Sequence, residues 1–173
     1  MSALRAALDG QADAPRHHLL SVLVENKVGV LARVAGLFSR RGFNIFSLAV
    51  APTNDEGMSR IAIVVDVESA PLDQVMHQLD KLINVVSISQ LAPDYALQRE
   101  LLLATVSPRP GERERIIEVV TSFGAEVVDD SEGCIMVMLA GDPDAVDRFE
   151  ESLEELEVVE LQRTGRVALP KLS

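Results

Sequence analysis

The chain has 173 residues, 47% of them hydrophobic, with 27 acidic against 16 basic side chains and a net charge of −11. Such a length suits one ordinary domain or two small ones of about 75–85 residues, and the apolar share excludes a disordered chain. The acidic balance argues against a nucleic-acid partner, and no apolar run approaches the ~20 residues of a membrane-spanning helix.

A mean hydropathy of +0.17 predicts that some apolar surface is buried against partners. The first sixteen residues, "MSALRAALDGQADAPR", lack a sustained apolar core and read as a flexible N-terminal tail rather than a signal peptide, so a cytoplasmic protein is expected. Cys134 is the single cysteine, which excludes an intramolecular disulfide and a cysteine-cluster metal site; it reads as a small core residue.

Periodicity predicts a first strand over about His18 to Glu25 and a helix from Val30 to Arg41. Leu31, Val34, Ala35 and Phe38 are placed on its apolar face, with Arg33 opposite and Gly42 as a left-handed C-terminal cap. Strands follow at Phe43 to Val50 and Ser59 to Val67, the latter turning Ile61, Ile63, Val65 and Val67 to one side. Pro71 opens a second helix striped by Leu72, Val75, Met76, Leu79, Leu82 and Ile83, and Val85 to Leu91 forms a fourth strand. The order is β-α-β-β-α-β, a ferredoxin-like unit that should close its own core.

"APDYALQRE", from Ala92, marks a boundary, after which the order repeats. A strand is expected at about Leu101 to Val106, then a helix carrying Ile116, Val119, Val120 and Phe123 and capped by Gly124. Strands at Ala125 to Val128 and Cys134 to Ala140 flank the turn "DDSEG". Asp142 then caps a helix with Pro143 at its first position and Val146, Phe149, Leu153 and Leu156 along its stripe, before a strand from Val158 to Gln162. The predicted fold is α+β, two tandem ferredoxin-like βαββαβ domains: a tail over 1–16, a first domain over 17–94 and a second over 95–173.

Chemistry is sparse. His17 and His18 point to opposite sides of an extended segment, and His77 has no spaced partner, so none reads as a metal ligand. Asp129, Asp130 and Glu132 read as a solvated hairpin turn, and the acidic run "FEESLEELEVVE" as a solvated helix face. No phosphate loop, nucleophile elbow or dinucleotide fingerprint is present, and no metal or cofactor site is expected in this chain. What stands out is the turn Asn26 to Gly29, where the first N–H groups of a helix favour a carboxylate or phosphate. Asn26 both donates and accepts, which suits a zwitterion, and Val28, Val30 and Leu31 surround it with apolar side chains. The same residues also serve as a plain turn, and these local features leave both readings open.

"LLSVLVENKVGVLARVAGLFSRRGFNIFSLAVAPT", with the later "SRIAIVV" and "QLDKLINVVSISQL", resembles the N-terminal ACT domain of the regulatory (small) subunit of acetohydroxyacid synthase, also called acetolactate synthase. The resemblance runs the whole chain, since that family carries a second ferredoxin-like domain. It implies a non-catalytic subunit whose separate catalytic large subunit holds thiamine diphosphate, Mg2+ and FAD and makes acetolactate or acetohydroxybutyrate from pyruvate. It further implies a homodimer through the ACT domain that raises catalytic activity and confers feedback inhibition by valine, often with leucine or isoleucine. Carried over by position, Asn26, Gly29, Val30 and Leu31 would hold the effector, with Asn44 and Ile45 supplied by the partner copy. Phe46 departs from the acidic residue many members carry after Asn-Ile. The matching turn of the second half, "SPRPGERER", has Gly111 but no asparagine, so the effector site is assigned to the first domain. The rival readings are a free-standing ACT-type amino-acid sensor acting on another enzyme or on transcription, and a hydrolase of the acylphosphatase type. Neither a DNA-reading element nor a phosphate-cradling arginine loop is visible in support of them.

Overall fold

A computed structural model describes residues 17–66, 71–131 and 133–172; the expected tail, Val67 and Glu132 lie outside them. The element order is β1 (His17–Glu25), α1 (Val30–Arg41), β2 (Ile45–Pro52), β3 (Met58–Asp66), α2 (Leu72–Leu79), β4 (Val85–Leu91) and a 3-10 turn (Pro93–Tyr95). It continues with β5 (Ala96–Val106), α3 (Arg113–Ser122), β6 (Glu126–Ser131), β7 (Cys134–Gly141), α4 (Pro143–Leu153), β8 (Val158–Arg163) and β9 (Val167–Pro170).

Two antiparallel sheets result, ordered β2-β3-β1-β4 and β6-β7-β5-β8, with β9 paired to the first residues of β5. Both have the ferredoxin-like split βαββαβ order, as the repeat in the sequence predicts. In the first, β1 buries Leu20, Val22 and Val24 against α1 and α2, and Ile61, Ile63 and Val65 of β3 join them. In the second, Leu102, Ala104 and Val106 of β5 meet Ile135, Val137 and Leu139 of β7 under Ile116, Phe149 and Leu153. Period-two alternation on the strands and three-to-four spacing on the helices turn the same kind of residue to one shared side.

The helix ends follow local chemistry. Gly42 adopts φ 69, the left-handed conformation a residue without a β-carbon enters freely, and its N–H reaches back to the last turn of α1. Asp142 caps α4 by accepting from the Ala145 N–H at 3.0 Å, with Pro143 behind it.

Several elements differ from expectation. The buried stripe of α1 is Val30, Val34, Leu37 and Phe38, whereas Leu31 and Ala35 are exposed; Val30, the first helical residue, packs inward and sets the phase. Helix α2 stops at Leu79, so Ile83 leaves the stripe and stands 90% exposed, while Leu82 stays half-buried against the core. Strand β5 begins at Ala96, and β9 is an additional strand; pairing Arg99 to Val167 and Ala96 to Pro170 joins them in a ribbon. That ribbon packs on the face of the first sheet opposite the helices, where Ala96 and Ala168 help cover Leu19, Ala62, Val64 and Leu91. The first unit therefore does not bury its outer face alone. Asp129 and Asp130 lie in β6 rather than in a turn, with Asp130 paired to Arg113. Cys134 is half-buried, one residue out of phase with the core-facing Ile135.

Candidate functional site

The turn after β1 is built by glycine and by hydrogen bonds from three loops. Gly29 holds φ 85 at the start of α1, and no side chain caps the helix there. The Val30 N–H donates to Lys27 at 3.2 Å and the Arg33 N–H to Gly29 at 3.0 Å. The N–H groups of Gly29, Leu31 and Ala32 find no backbone acceptor among the described residues. These groups sit at the positive end of the helix dipole, in the arrangement that receives a carboxylate. Around them Val28 is fully exposed, Leu31 is exposed, and Ile83 stands at the same end of the sheet.

Asn26 has a structural task that the sequence did not reveal. Its backbone N–H donates to the Gly57 carbonyl at 2.8 Å and its side-chain amide to the Glu56 carbonyl at 3.1 Å, pinning the turn to the β2–β3 hairpin. A second anchor is Asn84, buried between the two sides of the turn. Its amide donates to the Glu25 carboxylate, its carbonyl oxygen accepts from Arg33, and its backbone carbonyl accepts from the Glu25 N–H at 2.9 Å. Arg33 of α1 thus leans to this network instead of projecting idly from the polar face.

Lys27 also donates to Glu25, at 2.9 Å. These two hydrogen bonds, from Lys27 first and Asn84 second, hold the Glu25 carboxyl below its ordinary 4.5. A lowered folded value means that the stabilisation is complete above the ordinary value and is lost as pH falls through the lowered one. Chemical denaturation of wild type and Glu25→Gln should therefore show a stability gap at neutral pH that closes in strong acid. A gap independent of pH would show that the carboxylate is not engaged.

Asn44 and Ile45 lie elsewhere in the same chain. Strands β1 and β2 both run antiparallel to β3, hence parallel to each other. Glu25 pairs with Met58, while Ile45 pairs with Val65, seven residues along β3, or roughly 23 Å at ~3.3 Å per residue. Within one copy the turn and the Asn44–Ile45 pair therefore occupy opposite ends of the sheet. Ile45 is half-buried against the core and Asn44 is exposed just before β2.

Phe46 sits at a bulge between Ile45 and Ser47, where the β2–β3 register shifts. Its ring lies 4.1 Å from the His17 ring, and the Arg166 guanidinium stands 5.8 Å from its centroid. The Arg166 N–H donates to Ser47 Oγ at 3.0 Å, and a β-carbon at Gly165 would approach that oxygen to 2.8 Å. Only glycine allows that approach, so the β8–β9 link is fastened directly to β2. Among the described residues no group of three or more His, Cys, Asp or Glu side chains is arranged to hold a metal, and no helix is long and apolar enough to cross a membrane.

A βαββαβ sheet with a glycine-opened helix N-terminus after its first strand is the architecture of an ACT domain, the class of small regulatory module that the first half resembles. The family model described as AHAS small subunit-like ACT domain matches residues 20–87, and that of the small subunit of acetolactate synthase matches residues 99–172. The chain is 44% identical over 158 residues to the acetolactate synthase small subunit of Mycobacterium bovis, covering 91% of this chain and 94% of that one. It is 43% identical over 152 residues to the probable small subunit of Archaeoglobus fulgidus, covering 88% and 95%. The crystal structure of the Thermotoga maritima small subunit superposes with a TM-score of 0.81 at 34% identity, covering 92% of this chain and 99% of that one. The chain belongs to the acetolactate synthase small-subunit family. Its role is accordingly that of a regulatory subunit.

Proposed function

We propose that this chain dimerises through its first domain (17–94), binds valine at the dimer interface, and both activates and feedback-inhibits a separate catalytic subunit. That subunit would carry thiamine diphosphate, Mg2+ and FAD; the holoenzyme would act in the cytoplasm, in branched-chain amino-acid synthesis. Leucine and isoleucine are the competing effectors, and the second domain (95–173) would carry the remaining contacts to the catalytic chain.

The observation that carries the reading is the placement of the site's two halves. Among the described residues β2 is an edge strand of the first sheet, with no strand paired on its other side. A second copy pairing its own β2 antiparallel to this edge would bring its Asn44 and Ile45 to the end where Asn26, Gly29, Val30 and Leu31 lie. The effector's carboxylate would meet the N–H groups at the start of α1, and its side chain would rest among Val28, Leu31 and the partner copy's apolar residues. Micromolar to millimolar binding needs roughly 4–8 kcal/mol. One buried isopropyl group supplies ~1.5–3, and hydrogen bonds to charged groups ~1.5–3 each.

The isolated chain should form no acetolactate from pyruvate with thiamine diphosphate and Mg2+. Mixed with its catalytic subunit, it should raise that subunit's rate and make the rate fall as valine is added. An unchanged rate on mixing would remove the activating role, and a raised but valine-insensitive rate would remove the effector assignment.

A further inference from the structure

The face of the first sheet turned away from its helices carries a cleft of about 530 Å³ that the effector turn does not explain. Its origin is legible in side-chain size. Ala49 and Ala51 of β2 stand beside Ala62 and Arg60 of β3, so three methyl groups floor the space where the β5–β9 ribbon crosses. Leu97 and Leu169, paired across that ribbon, also line it.

The charge pattern of the lining runs against that of the whole molecule. The chain has 27 acidic and 16 basic residues, yet among the described residues the cleft is lined by two arginines, Arg60 and Arg99, and by no carboxylate. Arg60 Nη1 donates to Ser21 Oγ at 2.8 Å and Arg99 Nη1 to the Gln98 carbonyl at 2.7 Å. Neither takes part in an ion pair among the described residues, whereas Arg109, Arg113, Arg115 and Arg163 all do. Two guanidinium groups without counter-ions beside an apolar floor suit an anion with an apolar body, and the volume lies within the usual range for small-molecule sites.

We propose that this cleft binds a small organic carboxylate with an extended apolar tail, its charge held by Arg60 and Arg99 and its tail over Ala49, Ala51 and Ala62. The site is separate from the β1–α1 turn, because Arg60 and Ala62 face away from the helices while the turn opens α1. It also touches both halves of the chain, so an occupant would bear on how the β5–β9 ribbon sits against β2 and β3.

Calorimetric titration of the full chain with octanoate, and with neutral octanamide as the uncharged counterpart, tests this. Saturable octanoate binding is expected, with octanamide weaker by ~10-fold or more, a difference of about 1.4 kcal/mol. The double variant Arg60→Gln/Arg99→Gln should lose a similar factor, and Ala49→Leu, which fills the floor and keeps both arginines, should weaken octanoate as well. Octanoate affinity should be unchanged in Gly29→Asp. No saturation up to about 10 mM, a range that still reads weak binding, would overturn the proposal. So would equal affinity in the arginine variant and in Ala49→Leu, or loss of binding in Gly29→Asp.

Discussion

Gly29→Asp should abolish valine inhibition of the reconstituted synthase while the protein still folds and associates. The aspartate carboxylate would compete for the N–H groups of Leu31 and Ala32 and set a second negative charge beside the effector's. At about 4 Å that repulsion is ~1 kcal/mol in water-like surroundings and ~4 at an effective dielectric of 20. At about 1.4 kcal/mol per decade, valine affinity should fall ~10- to ~1000-fold. Sterics do not confuse the result, since a β-carbon at Gly29 would meet no atom within 4 Å. Conformation does contribute, because φ 85 is left-handed and a side chain there costs about 1–2 kcal/mol. Gly29→Ala carries that cost without the charge, so it should weaken stability similarly and affinity much less. Equal inhibition curves for wild type and a folded, associated Gly29→Asp would place the effector elsewhere.

The largest stability effect is expected at Arg163→Leu. Arg163, on β8, donates through Nε and Nη2 to both oxygens of Glu100 on β5, at 3.2 and 2.6 Å. Its Nη1 reaches Asp147 and Glu150 of α4, each at 2.7 Å. Burial works against this guanidinium's charge, but the bonds to Glu100, Asp147 and Glu150 outweigh it and raise the arginine's pKa. The Glu100 side chain is only 4% exposed, so losing its partner leaves a carboxylate without solvent or cation. Removing one member of a buried pair costs about 3–5 kcal/mol; partial exposure of Arg163 and its α4 partners lowers the expectation to about 2–4. The melting temperature should fall by roughly 5–15 °C. Arg163→Leu combined with Glu100→Leu should recover much of the loss. No recovery in the double variant would mean packing, not the unpaired charge, is responsible.

What could be read from the sequence was whatever short-range physics decides. The strand alternation of β3, the limits of α1, Gly42 and the Asp142–Pro143 cap are local preferences that tertiary structure did not overrule. Helix α2 ended early because Leu82 and Ile83 continue a helical spacing while the chain has already turned toward β4; periodicity cannot register that. β9 was invisible for a different reason. "VALP" is four residues with a terminal proline, and it becomes a strand only because β5 offers it an edge.

The candidate site divides the same way. Asn26 and Gly29 announce themselves as residue types beside a helix start. Asn84, which organises the turn, lies 51 positions from Arg33 and 59 from Glu25, and nothing local marks it. Phe46 looked like a departure from the family pattern; its neighbours His17 and Arg166 show what the ring contacts. Nothing local marks Arg60 and Arg99, because only folding sets them around one cleft.

Subunit complementation tests the proposed shared effector site most directly. Gly29→Asp disables the turn and Asn44→Ala the opposite half, so neither variant alone should bind valine. In a mixed dimer one interface site combines both defects and the other has neither. Random co-assembly of equal amounts should therefore restore roughly a quarter of the wild-type valine sites, as two-fold symmetry requires. Binding restored to about that level, with both parents silent, is the result this arrangement predicts. A mixture as silent as its parents, in dimers shown to have exchanged, would contradict a site shared between two copies.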